Sequence, residues 1–427
     1  MKVLIISHTP MTGCEAMGKT MVNLFSSFQR EELCQLYIYP TLPDAPYCSS
    51  FFRLTDKDVL RSYFSFFRVK GSEIPLDRIC ASNTLFEDGS DEGLYRSKKN
   101  KTGLRMFLRD AMWRHTRWYN RALRDYLDRE KPSVIFVAPG SGVFLYRIAL
   151  RIAKDYRLPI VTYVCDDYYF IERPRGLFAR LHHKGVLRAT ERLMKKTSRI
   201  VTISPSLEKT YTAHFGVPAA TVMTGAGFPI AARPLEARAP KGITYLGNIR
   251  YNRYRSLCEI GAALDRLNEK NGTDYTLDIY SGEKSDEILS ALQEHRSIRF
   301  HGYVGGQAFL DTLFSADYLL HVESFDSFNA DLVKHSVSTK IADSLASGIP
   351  FLAYAPASVA SMQHLLTQNC ALTATDPSEL PALLEKAFLS GFDREATVMR
   401  AIEAAQAHHD TERNSHRLYA MLREVSR

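Results

Sequence analysis

No apolar run in this chain approaches the ~20 residues that a bilayer-spanning helix needs. The apolar stretch near its start, Val3–Ile6, is far too short for a secretory signal peptide. Cysteine is sparse: Cys14, Cys34, Cys48, Cys80, Cys165, Cys258 and Cys370 are scattered with no CxxC pair among them. That pattern excludes a structural zinc site of the usual spacing and predicts reduced thiols in a cytoplasm. There is also no internal repeat and no low-complexity tract.

What is present has ordinary globular proportions. The hydrophobic share is 45% and the charged share 24%, both normal for a packed protein. A chain of 427 residues is too long for one core and predicts two or three domains. The net charge of +8 implies an acidic partner, whether nucleic acid, anionic lipid or a phosphorylated substrate.

Strand and helix patterns alternate. Short apolar strands are expected at Lys2–Ser7, Gln35–Tyr39, Val134–Ala138, Ile160–Cys165 and Ile200–Ser204. They recur at Gly242–Leu246, Thr276–Tyr280, Ile298–Gly302, Tyr318–Val322 and Phe351–Ala355, with helical patterns such as Val143–Tyr156 between. Continuous apolar strands separated by helices mean parallel sheets covered on both faces. The Gly-, Pro- and Ala-rich stretch 225–242 marks a linker. The expected organisation is a first Rossmann-like domain at 1–228, a linker at 229–240, a second at 241–390 and a helical segment at 391–427. Such sheets bind ligands at the C-terminal ends of their strands, so one substrate per domain is expected.

The stretch Ser315–Pro350 carries the most chemistry. An apolar strand ends in Glu323, and after a polar loop a helix opens with Ser338, Thr339 and Lys340, with Asp343 in its next turn. A helix N-terminus offers unpaired N–H groups and about half a positive charge, so it attracts phosphate. A diphosphate there, with an acid holding a sugar hydroxyl, fits; an ordinary capped helix with a solvated lysine fits as well.

Taken in order, YLGNIRYNR (245–253), LDIYSG (277–282), IRFHGYVGGQAFLDTLFSADYLLHVES (298–324) and STKIADSLASGIPFLAY (338–354) resemble glycosyltransferases of family 4. KPSVIFVAPGS (131–141), LPIVTYVCDD (158–167) and RIVTISPSLEKTYTAHFG (199–216) fit more loosely, and bacterial capsule or cell-surface polysaccharide enzymes are the nearest kind. The resemblance implies the α/β GT-B fold, two facing Rossmann-like domains with a central cleft. It implies transfer of a sugar from a nucleotide diphosphate donor to the hydroxyl of a saccharide or lipid-linked acceptor, with retention of configuration.

The resemblance also assigns roles. Arg250, Arg253 and Lys340 would meet the donor diphosphate, so that fixed cations rather than a metal or other cofactor balance the leaving group. Ser338 and Thr339 open the helix beneath it, and Gly302, Tyr303 and Val304 match the segment whose backbone reads the base. Asp343 and Glu323 match the two glutamates of the family's E-x7-E motif, the first-named on the donor ribose and the second near the sugar. Here, however, 19 residues lie between them. Asp166 matches the aspartate of a His-Asp step whose histidine is Cys165 here; Asp166 and His8 are the candidate bases, and Asp166 and Asp167 fit turn caps equally.

Two further patterns stand apart. Gly13–Thr20 satisfies GxxxxGK[ST], the phosphate loop of NTPases, with Gly13, Gly18 and Lys19 as its chemistry. Five residues separate it from the end of the first strand, which speaks against that loop; the alternative is a contribution to donor phosphate or acceptor. Residues 98–131 hold eleven Lys or Arg against four acids, with Leu104, Phe107, Leu108, Trp118 and Leu123 at helical spacing. That predicts either a basic amphipathic helix resting on an anionic membrane or a core-packing helix with a solvated cationic face. A second basic cluster spans 173–199. No nucleic-acid-binding module accompanies the charge, and the enzyme is expected in the cytoplasm, at the inner face of the membrane where docking occurs.

Overall fold

The computed structural model describes residues 1–13, 16–64, 71–81, 103–114, 118–170, 174–231, 239–389 and 391–427. Most of the expected linker, part of the 98–131 window, and Cys14 and Glu15 of the GxxxxGK[ST] match lie outside these residues. The chain divides into two compact units, Met1–Met223 with Thr411–Arg427, and Thr224–Asp410.

The first unit is built on an eight-stranded sheet. From one edge it runs β4 (Ser72–Glu73), β3 (Ser50–Arg53), β2 (Leu33–Tyr37), β1 (Val3–Ser7), β5 (Val134–Val137), β6 (Ile160–Val164), β7 (Thr197–Thr202) and β8 (Ala219–Thr221). All neighbours are parallel except β3 and β4. Alternation within β1 explains its unbroken apolar run. Leu4 and Ile6 join Ile135 and Val137 in one core, while Val3 and Ile5 join Val134 and Phe136 in another. Both faces are therefore dry, as parallel sheets require.

Local signals set the helices. Ser204 accepts the N–H of Leu207, Pro205 opens the helix Pro205–Phe215, and Gly216 closes it at φ +65°. These are the cap chemistry, the preorganised first turn and the left-handed stop that helix ends favour. The last helix, Thr411–Val425, returns to the first unit, where it packs on the helix Ala16–Leu24. Ser27 donates its N–H to Ser415 at 2.9 Å, and the Phe28 and Tyr419 rings meet at 4.9 Å.

The described residues of the basic window include two helices, Gly103–Met112 and Arg121–Glu130. Trp113 and Trp118 are both buried in the core with Leu123 and Phe144. The tryptophans thus face the interior, where Trp113 stacks on Phe144 of the helix Val143–Tyr156 at 4.7 Å and Trp118 meets Tyr119 edge-on.

The second unit has a six-stranded parallel sheet in the order β11 (Ile298–Gly302), β10 (Thr276–Tyr280), β9 (Gly242–Leu246), β12 (Tyr318–Val322), β13 (Phe351–Tyr354) and β14 (Leu372–Ala374). Chain order reverses between β9 and β12, a topological switch point, and the first unit has the same reversal between β1 and β5. β9 and β12 pair only at Tyr318↔Ile243 and Leu319↔Thr244. Beyond that pair they part, and a crevice opens at their C-terminal ends.

Candidate functional site

The crevice is an open pocket of about 520 Å³, solvent at its mouth included, lined by residues of the second unit. Thr244–Asn248 line it from β9, Leu319–Glu323 from β12, and Phe309 and Leu313 from the helix Gln307–Phe314. Its remaining wall includes Ser338, Lys340, Asp343 and Ser344, from the start of the helix Thr339–Ala346. Ser338 stands at the N-cap in extended conformation without a side-chain capping bond, so its hydroxyl does not occupy the first-turn amides. An ammonium and a helix N-terminus therefore border one polar recess, which is the arrangement a phosphate group needs.

The 19-residue interval between Glu323 and Asp343 does not keep them apart. It is filled in part by a short helix, Ser327–Val333, capped by Asp326 on the Asn329 amide at 2.9 Å. Both acids line the same pocket. Asp343 is buried and accepts the amide of Gly227 at 2.8 Å, so one of its oxygens ties down the start of the segment that enters this unit.

Glu323 and Arg253 hold each other. Arg253 Nε and Nη2 donate to the two carboxylate oxygens at 2.7 Å each, and Nη1 donates to Asn248 at 2.8 Å. This is a bidentate, nearly buried pair. Arg253, expected on a diphosphate, and Glu323, expected near a sugar, have each other as first partner. Arg250 is exposed in the loop after β9 and does not line the pocket. Tyr251 and Asn252, at φ +57° and +58°, turn that loop sharply, and the Tyr251 ring lies 5.6 Å from the Arg253 guanidinium. His321, beside Glu323 at 3.9 Å, bonds Ser361 at 3.0 Å. Burial lowers its pKa to about 4 against the opposing pull of Glu323, so it is neutral at pH 7.

Gly302, Tyr303 and Val304 follow β11, two strands from β9 or roughly 10 Å at ordinary strand spacing. Gly302 adopts φ +79° with open space where a side chain would stand, and Tyr303 is 79% exposed. They are outside the pocket wall, on the same strand-end side of the sheet.

In the first unit the switch point collects a different group. His8 follows β1, and Arg109 donates to its Nε2 at 3.0 Å. A guanidinium only donates, so that ring nitrogen is an acceptor here and its lone pair is engaged. Arg109 also bonds Asp56 at 3.0 Å, which receives the Trp113 indole N–H at 2.7 Å, and the guanidinium sits 4.6 Å over the Phe144 ring. Sequence reading found His8 but not Arg109 or Asp56, since their pairing spans 101 and 53 residues.

After β6, Asp166 is exposed, with the Tyr168 hydroxyl at 3.5 Å. Asp167 is a turn cap: its Oδ1 accepts the amides of Tyr169 and Phe170 at 2.9 Å and the Tyr211 hydroxyl at 3.1 Å. Burial pushes the Cys165 thiol well above its usual range, and Asp166 adds to the rise. Cys165 therefore stays protonated and cannot replace a histidine as base.

The phosphate-loop reading meets two obstacles. Asp44 accepts the Thr12 hydroxyl at 2.9 Å and the Gly13 N–H at 2.7 Å, placing a carboxylate where a phosphate would be cradled. Gly18 is already inside the helix Ala16–Leu24, where a Cβ would come within 2.4 Å of Thr12. It is a packing glycine. Lys19 is half-buried on the same helix.

Comparisons with known proteins meet this geometry. The family model described as Glycosyltransferase Family 4 matches residues 84–224. Sucrose-phosphate synthase from Thermosynechococcus elongatus superposes with a TM-score of 0.63 at 12% identity, over 100% of this chain and 99% of that one. HepE of Anabaena in complex with UDP and glucose gives 0.63 at 9% identity, over 99% and 100%. The fold is GT-B. WaaG, a glycosyltransferase involved in lipopolysaccharide biosynthesis, shares this GT-B architecture with a TM-score of 0.58 at 13% identity, over 98% and 99% of the two chains. No curated protein matches the chain. At these identities the GT-B assignment concerns architecture, and the Family 4 match covers residues 84–224, a part of the first unit together with the next residue in sequence, Thr224.

Proposed function

We propose that this protein transfers a hexosyl group from a nucleotide diphosphate sugar to an acceptor hydroxyl. The observation that carries the reading is the β9/β12 crevice, where Lys340 and the N-terminus of the helix Thr339–Ala346 share one pocket with two carboxylates. The diphosphate sits at that helix end. Asp343, in the wall of the same pocket, is the acid for the ribose hydroxyls, and Lys340, with Arg250 from the adjoining loop, offsets the charge that builds as the glycosidic bond breaks. HepE binding UDP and UDP-glucose on this fold supports a nucleotide-sugar donor. No metal is assigned a role in this reading.

The Arg253–Glu323 pair has a role in this scheme. Glu323 holds Arg253 in place, and a donor diphosphate competes for the same guanidinium; Glu323 is then released toward a sugar hydroxyl. The acceptor belongs to the first unit, where Asp166 is the exposed carboxylate at a strand end. The C1–oxygen bond breaks with its electron pair on the diphosphate, the acceptor oxygen bonds to C1 on the same face, and the acceptor proton passes to the departing phosphate. Retention and a role in bacterial surface polysaccharide synthesis follow the family resemblance. Action at the inner face of the membrane follows the lipid-linked acceptors of such pathways.

Incubating the protein with UDP-, GDP- and ADP-sugars, and measuring nucleoside diphosphate release with and without an oligosaccharide acceptor, tests the reading. One donor is expected to yield diphosphate in the wild type and not in Lys340→Ala. Equal turnover by both proteins, or ATP hydrolysis that depends on Lys19, would refute it.

A further inference from the structure

Five of the thirteen large hydrophobic side chains that stand exposed among the described residues fall on two neighbouring helices of the first unit. Leu104 and Leu108 project from Gly103–Met112, one turn apart. Leu177, Phe178 and Leu181 project from the first turns of Leu177–Met194, with Leu177 the most open at 68%. The two helices pack along each other. They approach so closely at Gly103 that a Cβ there would fall 2.6 Å from Ala179. Phe107 and Phe178 meet with ring centroids 5.8 Å apart, and buried His182 bonds buried Asp110 at 2.6 Å. The apolar side chains are thus carried on a braced pair of helices.

The charge close to the apolar group is cationic, and the exposed acid of the helix Leu177–Met194, Glu191, stands at its far end beyond Arg188. On Leu177–Met194 the buried side is His182, Val186, Ala189, Thr190 and Leu193. The opposite side runs Leu177, Leu181, Lys184, Arg188, at helical spacing. Arg105, Arg175 and Arg180 are exposed around the apolar group. Within 103–114 and 174–190 the sole acid is Asp110, which is buried against His182. Exposed leucines and a phenylalanine inside a ring of cations, with no exposed acid between, match an interface that is apolar below and anionic above.

We propose that this two-helix face docks on an anionic lipid bilayer, with Leu177, Phe178 and Leu181 entering the headgroup boundary and Arg180, Lys184 and Arg188 pairing with lipid phosphates. A second copy of the chain would bring the same cations against these, and a nucleic acid would leave the leucines in water. The inference deepens the membrane-surface part of the proposed function. It moves that contact away from the tryptophans of 113 and 118, which are in the core, and makes no use of the donor pocket.

Co-flotation of the full chain with vesicles tests it without any donor or acceptor. Wild-type protein is expected to float with vesicles containing phosphatidylglycerol and not with pure phosphatidylcholine. Raising salt from 0.05 to about 0.5 M should release most of it, since surface charge attraction is screened at short range. Leu177→Ser/Leu181→Ser and Arg180→Glu/Lys184→Glu should each cut binding at least tenfold. Circular dichroism and the thermal midpoint should stay at wild-type values, because all four side chains are solvent-facing. Unchanged flotation of both folded variants, binding to neutral vesicles alone, or a wild-type dimer that the leucine variant dissociates would each overturn the proposal. Donor turnover read on a water-soluble acceptor is a separate result, so failure of docking and failure of the transferase reading are told apart.

Discussion

Arg253 and Glu323 show how a single side chain can be both structural and poised for ligand. Their pair is nearly buried, so removing one partner leaves a charge without compensation. Arg253→Ala is expected to lower unfolding free energy by about 3–5 kcal/mol, read as a shift of the urea midpoint. Lys340→Ala, on a half-buried side chain, should leave that midpoint nearly unchanged while donor turnover disappears. A stable Arg253→Ala protein would mean that Glu323 is held by other partners. The GxxxxGK[ST] match gives the opposite expectation. Lys19→Ala should retain transfer, whereas Gly18→Ala should destabilise the first unit, because its Cβ would overlap Thr12.

At the scale of elements, the segment that enters the second unit is tied to the one that leaves it. His409 donates from Nδ1 to the Thr224 carbonyl at 2.9 Å, and the Ala226 amide donates to the His409 carbonyl at 2.9 Å. With Nδ1 protonated, His409 Nε2 is the acceptor for His364 Nε2 at 3.0 Å. Burial, helped at His364 by the neighbouring histidines, lowers the pKa of His364 to about 3 and of His409 to about 4. Both values lie below the ordinary 6.5, so the unfolded chain takes up protons that the folded chain refuses. Their stabilisation is complete above pH 6.5 and is lost as the pH falls toward 4, at up to about 1.4 kcal/mol per unit for each group. Urea unfolding at pH 7 and pH 5 should show this loss in the wild type and a smaller loss in His409→Gln. Identical pH dependence in the two proteins would contradict the assignment.

The same scale shows what could be read in advance. β9, β12 and β13 were legible because strands buried on both faces leave unbroken apolar runs; β11 is an edge strand with Arg299 and His301 exposed, and β9, β10, β11 and β12 all begin and end where the pattern placed them. Ser50–Arg53, Ala219–Thr221 and Leu372–Ala374 were not, since three or four residues carry too little periodicity. β2 begins two residues earlier than its apolar pattern suggested. That Glu323, Ser338, Lys340 and Asp343 line one pocket was legible because a strand end, a helix N-terminus and their spacing are local features. The bidentate hold of Glu323 on Arg253, the Asp56–Arg109–His8 chain and the return of Thr411–Val425 to the first unit were not. They join residues from 53 to several hundred positions apart, and no local pattern encodes such a partner.

For the whole molecule, the account rests on one division of labour. Each unit has its own reversal of strand order, and the second unit places a lysine-tipped helix end over its crevice. The first unit carries an exposed carboxylate after β6 and the cationic, apolar helix pair on its surface. The most direct measurement is calorimetric titration of wild type and Lys340→Ala with UDP-, GDP- and ADP-glucose. The account predicts saturable binding of one of the three by the wild type and at least a tenfold weaker Kd in the variant, a loss of about 1.4 kcal/mol or more. Binding of equal strength by both proteins, or no binding of any nucleotide sugar by the wild type, would contradict it.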